Sequence, residues 1–144
     1  MKMPPKQKIY EAYSALADNR VEMQADTAIV CSSNHAKTYT VTFQGNVYTS
    51  TDNATYWQGY PGYPVLAVLM LEGKLSFPEN LLPYLKNIDW HTLNDKFKRD
   101  YDRALQEALA DLTEEVRQGI LSAGEASYLE LGQMELIIKR GRKK

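Results

Sequence analysis

Cysteine is almost absent from this chain of 144 residues, which contains only Cys31. A single cysteine excludes an internal disulfide and any metal site built from several cysteines, and this usage is typical of a reducing cytoplasm. Histidine is scarce as well, with His35 and His91 alone, and the chain contains no paired-histidine metal motif. We therefore expect a cytoplasmic protein with no metal or other cofactor.

Long hydrophobic runs are also missing. The longest apolar run, Val65 to Leu71, is far shorter than the roughly 20 residues of a membrane-spanning helix. The N-terminal residues carry charge without the apolar segment of a signal peptide. The net charge is −1, so the molecule as a whole has no general attraction to nucleic acid or to an anionic membrane. These absences predict a soluble protein without a membrane partner, in which any electrostatic binding site is local.

The motifs of common enzyme classes are absent too. The chain has no glycine-rich phosphate loop and no nucleophile elbow. Cys31 and His35 are close in sequence, but a nucleophilic pair also needs an orienting third group, and none is evident. We interpret Cys31 as a small buried residue, His35 as a turn residue and His91 as part of a helix start. We expect a protein that is not an enzyme and has no catalytic residues.

The middle of the chain carries the clearest structural pattern. Apolar and threonine side chains alternate up to a turn at Gln44-Gly45-Asn46, which predicts a β-hairpin over residues 38–51. An aromatic loop follows over residues 52–64, and then a helix over residues 64–73 that is apolar on every side and therefore buried. With a weaker strand signal between Val21 and Val30, the sequence predicts an α+β fold. Its small antiparallel sheet has about three strands and packs on the buried helix.

The C-terminal part of the chain is predicted to be helical. Apolar residues three to four apart run from Phe97 to Ile120, which predicts one long amphipathic helix of about seven turns. A break near Ser122 and a last helix from Glu125 to Ile138 follow, and the chain ends in a basic tail. We expect the α+β core, residues 1–88, and the helical region, residues 89–144, to form one cooperative domain.

The junctions of the hairpin, loop and buried helix carry a family resemblance. Thr49-Ser50-Thr51-Asp52 ends the hairpin, and Gly62-Tyr63-Pro64 opens the helix that continues as Val65-Leu66-Ala67-Val68-Leu69-Met70. In this order residues 39–75 resemble the SWIM domain, a zinc finger-like ββα module of proteins that associate with DNA or other proteins. That family has Cys-x-Cys followed by an Asp where this chain has Thr49 to Asp52, and Cys-x-His where it has Gly62 to Pro64. Threonine, glycine and proline cannot bind zinc as those ligands do. The resemblance therefore implies a degenerate SWIM-type fold without zinc, in which aromatic packing replaces the metal.

Two clusters are candidate binding sites. The rings of the aromatic loop form a candidate interaction surface, because each combines a large contact area with a polar tip. They would otherwise fill the space between sheet and helix, Trp57 and Tyr63 first. The basic tail offers candidate phosphate contacts, or else it is a solvated terminus. Lys2, Lys6 and Lys8 would join the tail if the chain ends lie close. The loop residues are Tyr56, Trp57, Tyr60 and Tyr63, and the tail residues are Lys139, Arg140, Arg142, Lys143 and Lys144.

Three functions fit these features. The leading hypothesis is a non-catalytic interaction module that binds a protein partner or a second copy of itself, the latter through the apolar stripe between Phe97 and Ile120. The alternative is a nucleic-acid-associated protein that uses the aromatic loop and the basic tail. The third is a small-molecule binding protein, because an aromatic, proline-ordered loop can also line a pocket.

Overall fold

A five-stranded mixed sheet forms one layer of the protein, whose structure, a computed structural model, describes residues 1–141. The strands are β1 Val21–Met23, β2 Thr27–Cys31, β3 Thr38–Gln44, β4 Val47–Ser50 and β5 Ile137–Arg140. They lie side by side in chain order, and β1 to β4 pair antiparallel. β5 pairs parallel to β4, with Ile137 opposite Val47.

The α+β class is present, but the prediction of an antiparallel sheet of about three strands is wrong. The Val21 to Cys31 stretch contains two strands, because the chain reverses where the Gln24 amide donates to the Thr27 carbonyl over 2.8 Å. The fifth strand begins in the predicted last helix, at Ile137 and Ile138, and continues into the predicted basic tail, at Lys139 and Arg140. Its pairing with β4 joins distant parts of the chain, which a local pattern does not reveal.

Seven helical elements, among the described residues, make up the rest of the fold. They are α1 Gln7–Ala17, a π-helical turn Ala54–Gln58, α2 Tyr63–Leu71, a 3-10 helix Glu79–Leu85, α3 Trp90–Lys96, α4 Tyr101–Ala108 and α5 Glu114–Gly132. α2 is the buried helix that the sequence predicts. Every residue from Pro64 to Met70 is buried, and α2 contacts α1 on one side and β1, β3 and β4 on the other.

The predicted long helix from Phe97 to Ile120 is wrong, because two caps divide it. Lys98 and Arg99 adopt left-handed backbone conformations, and Asp100 then caps α4 by accepting from the Arg103 amide. Thr113 caps α5 in the same way. The apolar residues of the predicted stripe pack against the protein's own core, so they do not form a stripe for a second copy; they include Leu105, Leu109, Leu112, Val116 and Ile120.

The predicted end of the chain is also wrong. α5 continues through the expected break near Ser122, and it ends at Gly132 instead of continuing to Ile138. β5 then runs along the edge of the sheet. α1 lies at the centre of the molecule, where it contacts α2, the 3-10 helix, α4 and α5. Within residues 1–141, no helix is long and apolar enough to cross a membrane.

Candidate interaction surface

The aromatic loop is held in one conformation by a hydrogen-bond network around Asp52, which is only 4% exposed. The Asp52 carboxylate accepts from the Ser50 hydroxyl and from the Thr55 amide, the latter over 3.1 Å. The Thr55 hydroxyl in turn accepts from the Gly62 amide over 2.9 Å. A Cβ at position 62 would lie 2.0 Å from Asp52 Oδ2, so only glycine fits there. The loop is therefore a fixed support for its aromatic side chains.

The positions that the SWIM resemblance compares with zinc ligands make ordinary hairpin and helix contacts. The Thr49 and Thr42 hydroxyls are hydrogen bonded to each other, and the Thr51 hydroxyl accepts from the Thr40 amide over 3.0 Å. Pro64 lies in the first turn of α2. Among the described residues, no group of three or more His, Cys, Asp or Glu side chains is arranged to hold a metal ion. The resemblance itself stays a prediction.

The four aromatic residues of the loop separate into two pairs. Tyr56 and Trp57 lie on the π-helical turn with ring centroids 4.7 Å apart in an edge-to-face arrangement. The indole is 62% exposed, so it does not fill the core as the alternative interpretation would require. Tyr63 does pack against the core, and Tyr60 is half-buried. The exposed ring of the loop is therefore that of Trp57, and the partly buried Tyr56 lies beside it.

The structure brings one residue of the basic tail to Tyr56 and Trp57. Gly141 N donates to Ser50 O over 2.9 Å, which fixes the end of β5 beside β4. The Arg140 guanidinium carbon then lies 5.1 Å from the Tyr56 ring centroid and 5.6 Å from that of Trp57, both cation–π distances. We call Tyr56, Trp57 and Arg140 the Trp57 surface. Lys139 is exposed on the same strand, whereas Arg142, Lys143 and Lys144 lie outside the described residues.

The sequence left open whether three N-terminal lysines join the basic tail, and of these Lys2 lies at the aromatic loop. Its ammonium donates to the Gln58 carbonyl over 3.1 Å and lies 5.7 Å from the Tyr60 ring centroid. Lys6 instead pairs with Glu125, and Lys8 pairs with Glu11. Cations from both ends of the chain therefore flank the loop.

Sequence reasoning missed a buried ionic cluster beneath Tyr60 and Tyr63. Lys8 Nζ lies 3.3 Å from Glu11 Oε2, and the two side chains are 13% and 6% exposed. Burial raises the pKa of Glu11 and outweighs the opposing effect of Lys8. Burial acts to lower the pKa of Lys8, but the charges of Glu11 and Tyr101 raise it above its ordinary value. Both groups therefore hold their protons more tightly than in water.

Arg20 lies close to this pair and is itself buried. Its Nη1 donates to the Cys31 carbonyl over 2.7 Å, its Nε lies 3.2 Å from Asp18 Oδ2, and its guanidinium carbon lies 6.0 Å from the Tyr63 ring centroid. Burial raises the pKa of Tyr63, and Tyr39 adds to that effect. Three of the four buried polar atoms without a hydrogen-bond partner in residues 1–141 belong to this region: Gln7 Oε1, Glu11 Oε2 and Arg20 Nη2. Nothing in the sequence distinguishes these charges from those on a solvated helix face.

A shallow polar depression of about 510 Å³ lies at the end of α1, away from the aromatic loop. Asp18 and Asn19 line it together with His35 and Lys86. His35 is a turn residue, as predicted, and its backbone is left-handed with φ 60°. Cys31 is only partly buried, and it lies on β2. The loop aromatics do not line this depression.

Residues 1–137 of the chain match the protein family described as "Uncharacterised conserved protein UCP014422". No curated protein and no solved structure matches the chain. Tyr56 and Trp57 lie within the matched residues, and Arg140 lies just beyond them.

Proposed function

The chain belongs to the UCP014422 family, whose description names no activity, and we propose from the geometry that it is a non-catalytic binding module. Its contact surface is the Trp57 surface, and its partner is another protein. The observation that carries the proposal is an indole that is 62% exposed and yet held between a tyrosine ring and a guanidinium.

The residue types favour a protein partner. Tryptophan, tyrosine and arginine are the side chains that most often contribute large shares of binding energy at protein interfaces. Here all three are already ordered by the Asp52 network and by the pairing of β5 with β4. A preformed surface loses little conformational entropy when it binds, which favours affinity.

Site-specific photocrosslinking in cells tests this proposal. A benzophenone amino acid at Trp57 should give one dominant crosslinked protein, and Arg140→Ala should reduce its yield. The matched control is the same amino acid at Leu129, an apolar residue on α5 that is 69% exposed. The same crosslinked proteins from both positions would contradict a specific contact at the Trp57 surface.

Single-stranded nucleic acid is the second candidate partner, because Lys2 and Arg140 flank the loop rings from opposite chain ends. Bases stack on such rings while the cations neutralise phosphates. Labelled single-stranded DNA should then bind at low salt and quench Trp57 fluorescence, and binding should weaken as salt increases. Removal of residues 142–144 leaves β5 intact and should weaken binding further. No measurable binding at low salt would eliminate this candidate.

A further inference from the structure

The sheet has one face that the helices do not cover. Along β2, Ala28 and Val30 are fully buried towards α2, whereas Thr27, Ile29 and Cys31 point to the opposite face and remain partly exposed. Because residues in register share a face, Thr27 continues across the sheet as a row with Thr42, Thr49 and Lys139. The neighbouring row consists of Glu22, Ile29 and Thr40. We call these two rows the outer face.

The outer face is open to solvent even at the centre of the sheet. Thr40 on the middle strand β3 is exposed, although Val41 beside it is fully buried on the other face. Ile29, unlike Ala28 and Val30, neither belongs to the core nor packs against it. Threonine and isoleucine have few side-chain rotamers, so they lose little entropy when a partner covers them. The outer face is therefore stiff and open to solvent.

Charge on the outer face is sparse and placed in a particular way. Its two rows contain one acidic residue, Glu22 on the edge strand β1, and one basic residue, Lys139 on the opposite edge strand β5. Both side chains are exposed. A surface with opposite charges at its two edges has charge complementarity to a second copy of itself that is rotated by 180° about an axis parallel to the strands.

We propose that two copies of this protein associate face to face through the outer face, about a two-fold axis that runs along β3. That rotation places β1 of each copy opposite the partner's β5, with Glu22 offset by one row, two residues along the strand, from the partner's Lys139. The two long side chains span this offset of about 7 Å, so the pair forms twice. Thr40 lies on the axis and meets the same residue of the other copy. Strands about 4.8 Å apart give five strands a face of about 24 Å by 15 Å, smaller than a standard interface. The dimer is therefore weak and depends on concentration.

Charge reversal tests the geometry. Sedimentation of the full chain from about 1 µM to about 1 mM should show a reversible monomer–dimer equilibrium. Glu22→Lys and Lys139→Glu should each raise the dissociation constant by about tenfold, because attraction becomes repulsion on both sides of the axis. The double variant Glu22→Lys/Lys139→Glu exchanges the charges and should restore the original constant. A monomer at every concentration, or no rescue in the double variant, would overturn the proposal.

A second variant keeps the test independent of the charges. Thr40→Arg places two cations against each other on the axis and should abolish the dimer, whereas Ser122→Arg on the exposed side of α5 should leave it unchanged. Circular dichroism should show both variants folded. The outer face and the Trp57 surface lie on opposite sides of the sheet, so Trp57→Ala should not affect dimerisation. Equal dimerisation of the Thr40 and Ser122 variants would also refute the proposed interface.

Discussion

Lys8 and Glu11 form an ion pair that is almost completely buried, and this burial determines how each side chain affects the stability of the fold. A buried pair is weak evidence for stability, because desolvation of both charges offsets their attraction. Breaking such a pair is costly, since the remaining charge keeps its desolvation without a partner. The Glu11 carboxylate is the more sensitive member, because its oxygen Oε2 has no hydrogen bond in addition to the 3.3 Å ion pair.

We predict that Lys8→Met destabilises the protein at pH 7 by about 3–5 kcal/mol, measured by urea unfolding. The double variant Lys8→Met/Glu11→Gln should lose less than Lys8→Met alone, because no charge remains buried. A raised pKa in the folded state means that the contribution of Glu11 to stability is complete below its unfolded pKa and is lost as pH rises through its folded pKa. The loss in Lys8→Met should therefore shrink as pH is lowered. A double variant at least as unstable as Lys8→Met would contradict this account.

Only part of the residue-scale arrangement follows from the sequence. The loop aromatics were predictable as a group, because rings among glycines and prolines are conspicuous. Which ring is exposed was not, since Trp57 is turned outward by a π-helical turn that has no sequence signature. The contact of Arg140 with that ring depends on the register between β5 and β4, two strands that lie far apart in the sequence.

At the scale of elements, α1 and α5 approach closely at Gly124. A Cβ there would lie 2.2 Å from the Tyr10 hydroxyl and 2.3 Å from the ring carbon that bears it. Tyr10 is 1% exposed, and burial raises its pKa to about 12, with a smaller contribution from Glu125. The tyrosine therefore has no solvent-filled space into which it can move.

We predict that Gly124→Ala lowers stability by about 1–3 kcal/mol through overpacking, visible as a lower Tm. Gly132→Ala on the same helix is the matched control, because its new methyl group would meet only Met3 Cε at 3.7 Å. Its higher helix propensity should leave Tm unchanged or slightly raised. If both variants had the same Tm, the close approach of α1 and α5 would not limit the packing.

The predicted long helix from Phe97 to Ile120 and the predicted last helix to Ile138 are wrong for one physical reason. The apolar spacing from Phe97 to Ile120 is real, but it persists across two helices because both present apolar residues to the same core. Asp100 and Thr113 are good capping residues, and they were the sequence signals that could have predicted separate helices α4 and α5. The adjacent β-branched residues Ile137 and Ile138 were the only local sign of β5. Periodicity reports which side is buried and does not report where a helix ends.

At the scale of the whole molecule, α1 joins the two predicted parts of the chain, because it lies in residues 1–88 and packs against helices of residues 89–144. Tyr13 of α1 donates to Ser127 of α5 over 2.5 Å, because the Ser127 hydroxyl itself donates to the Ser76 carbonyl over 2.8 Å. Trp90 on α3 is 2% exposed, and its indole nitrogen donates to Ser14 of α1 over 2.9 Å. Neither residues 1–88 nor the helices after them would retain a complete core alone.

We therefore predict that the chain unfolds as one cooperative unit, and its two tryptophans allow a direct measurement. Trp57→Phe leaves Trp90 to report on the C-terminal helices, and Trp90→Phe leaves Trp57 to report on the sheet edge. Within each variant, the fluorescence and far-ultraviolet circular dichroism transitions in urea should coincide, because every element packs through α1. Comparison within one variant removes the stability lost with the Trp90 hydrogen bond to Ser14. Midpoints separated by more than about 0.5 M urea would instead mean that the C-terminal helices unfold on their own.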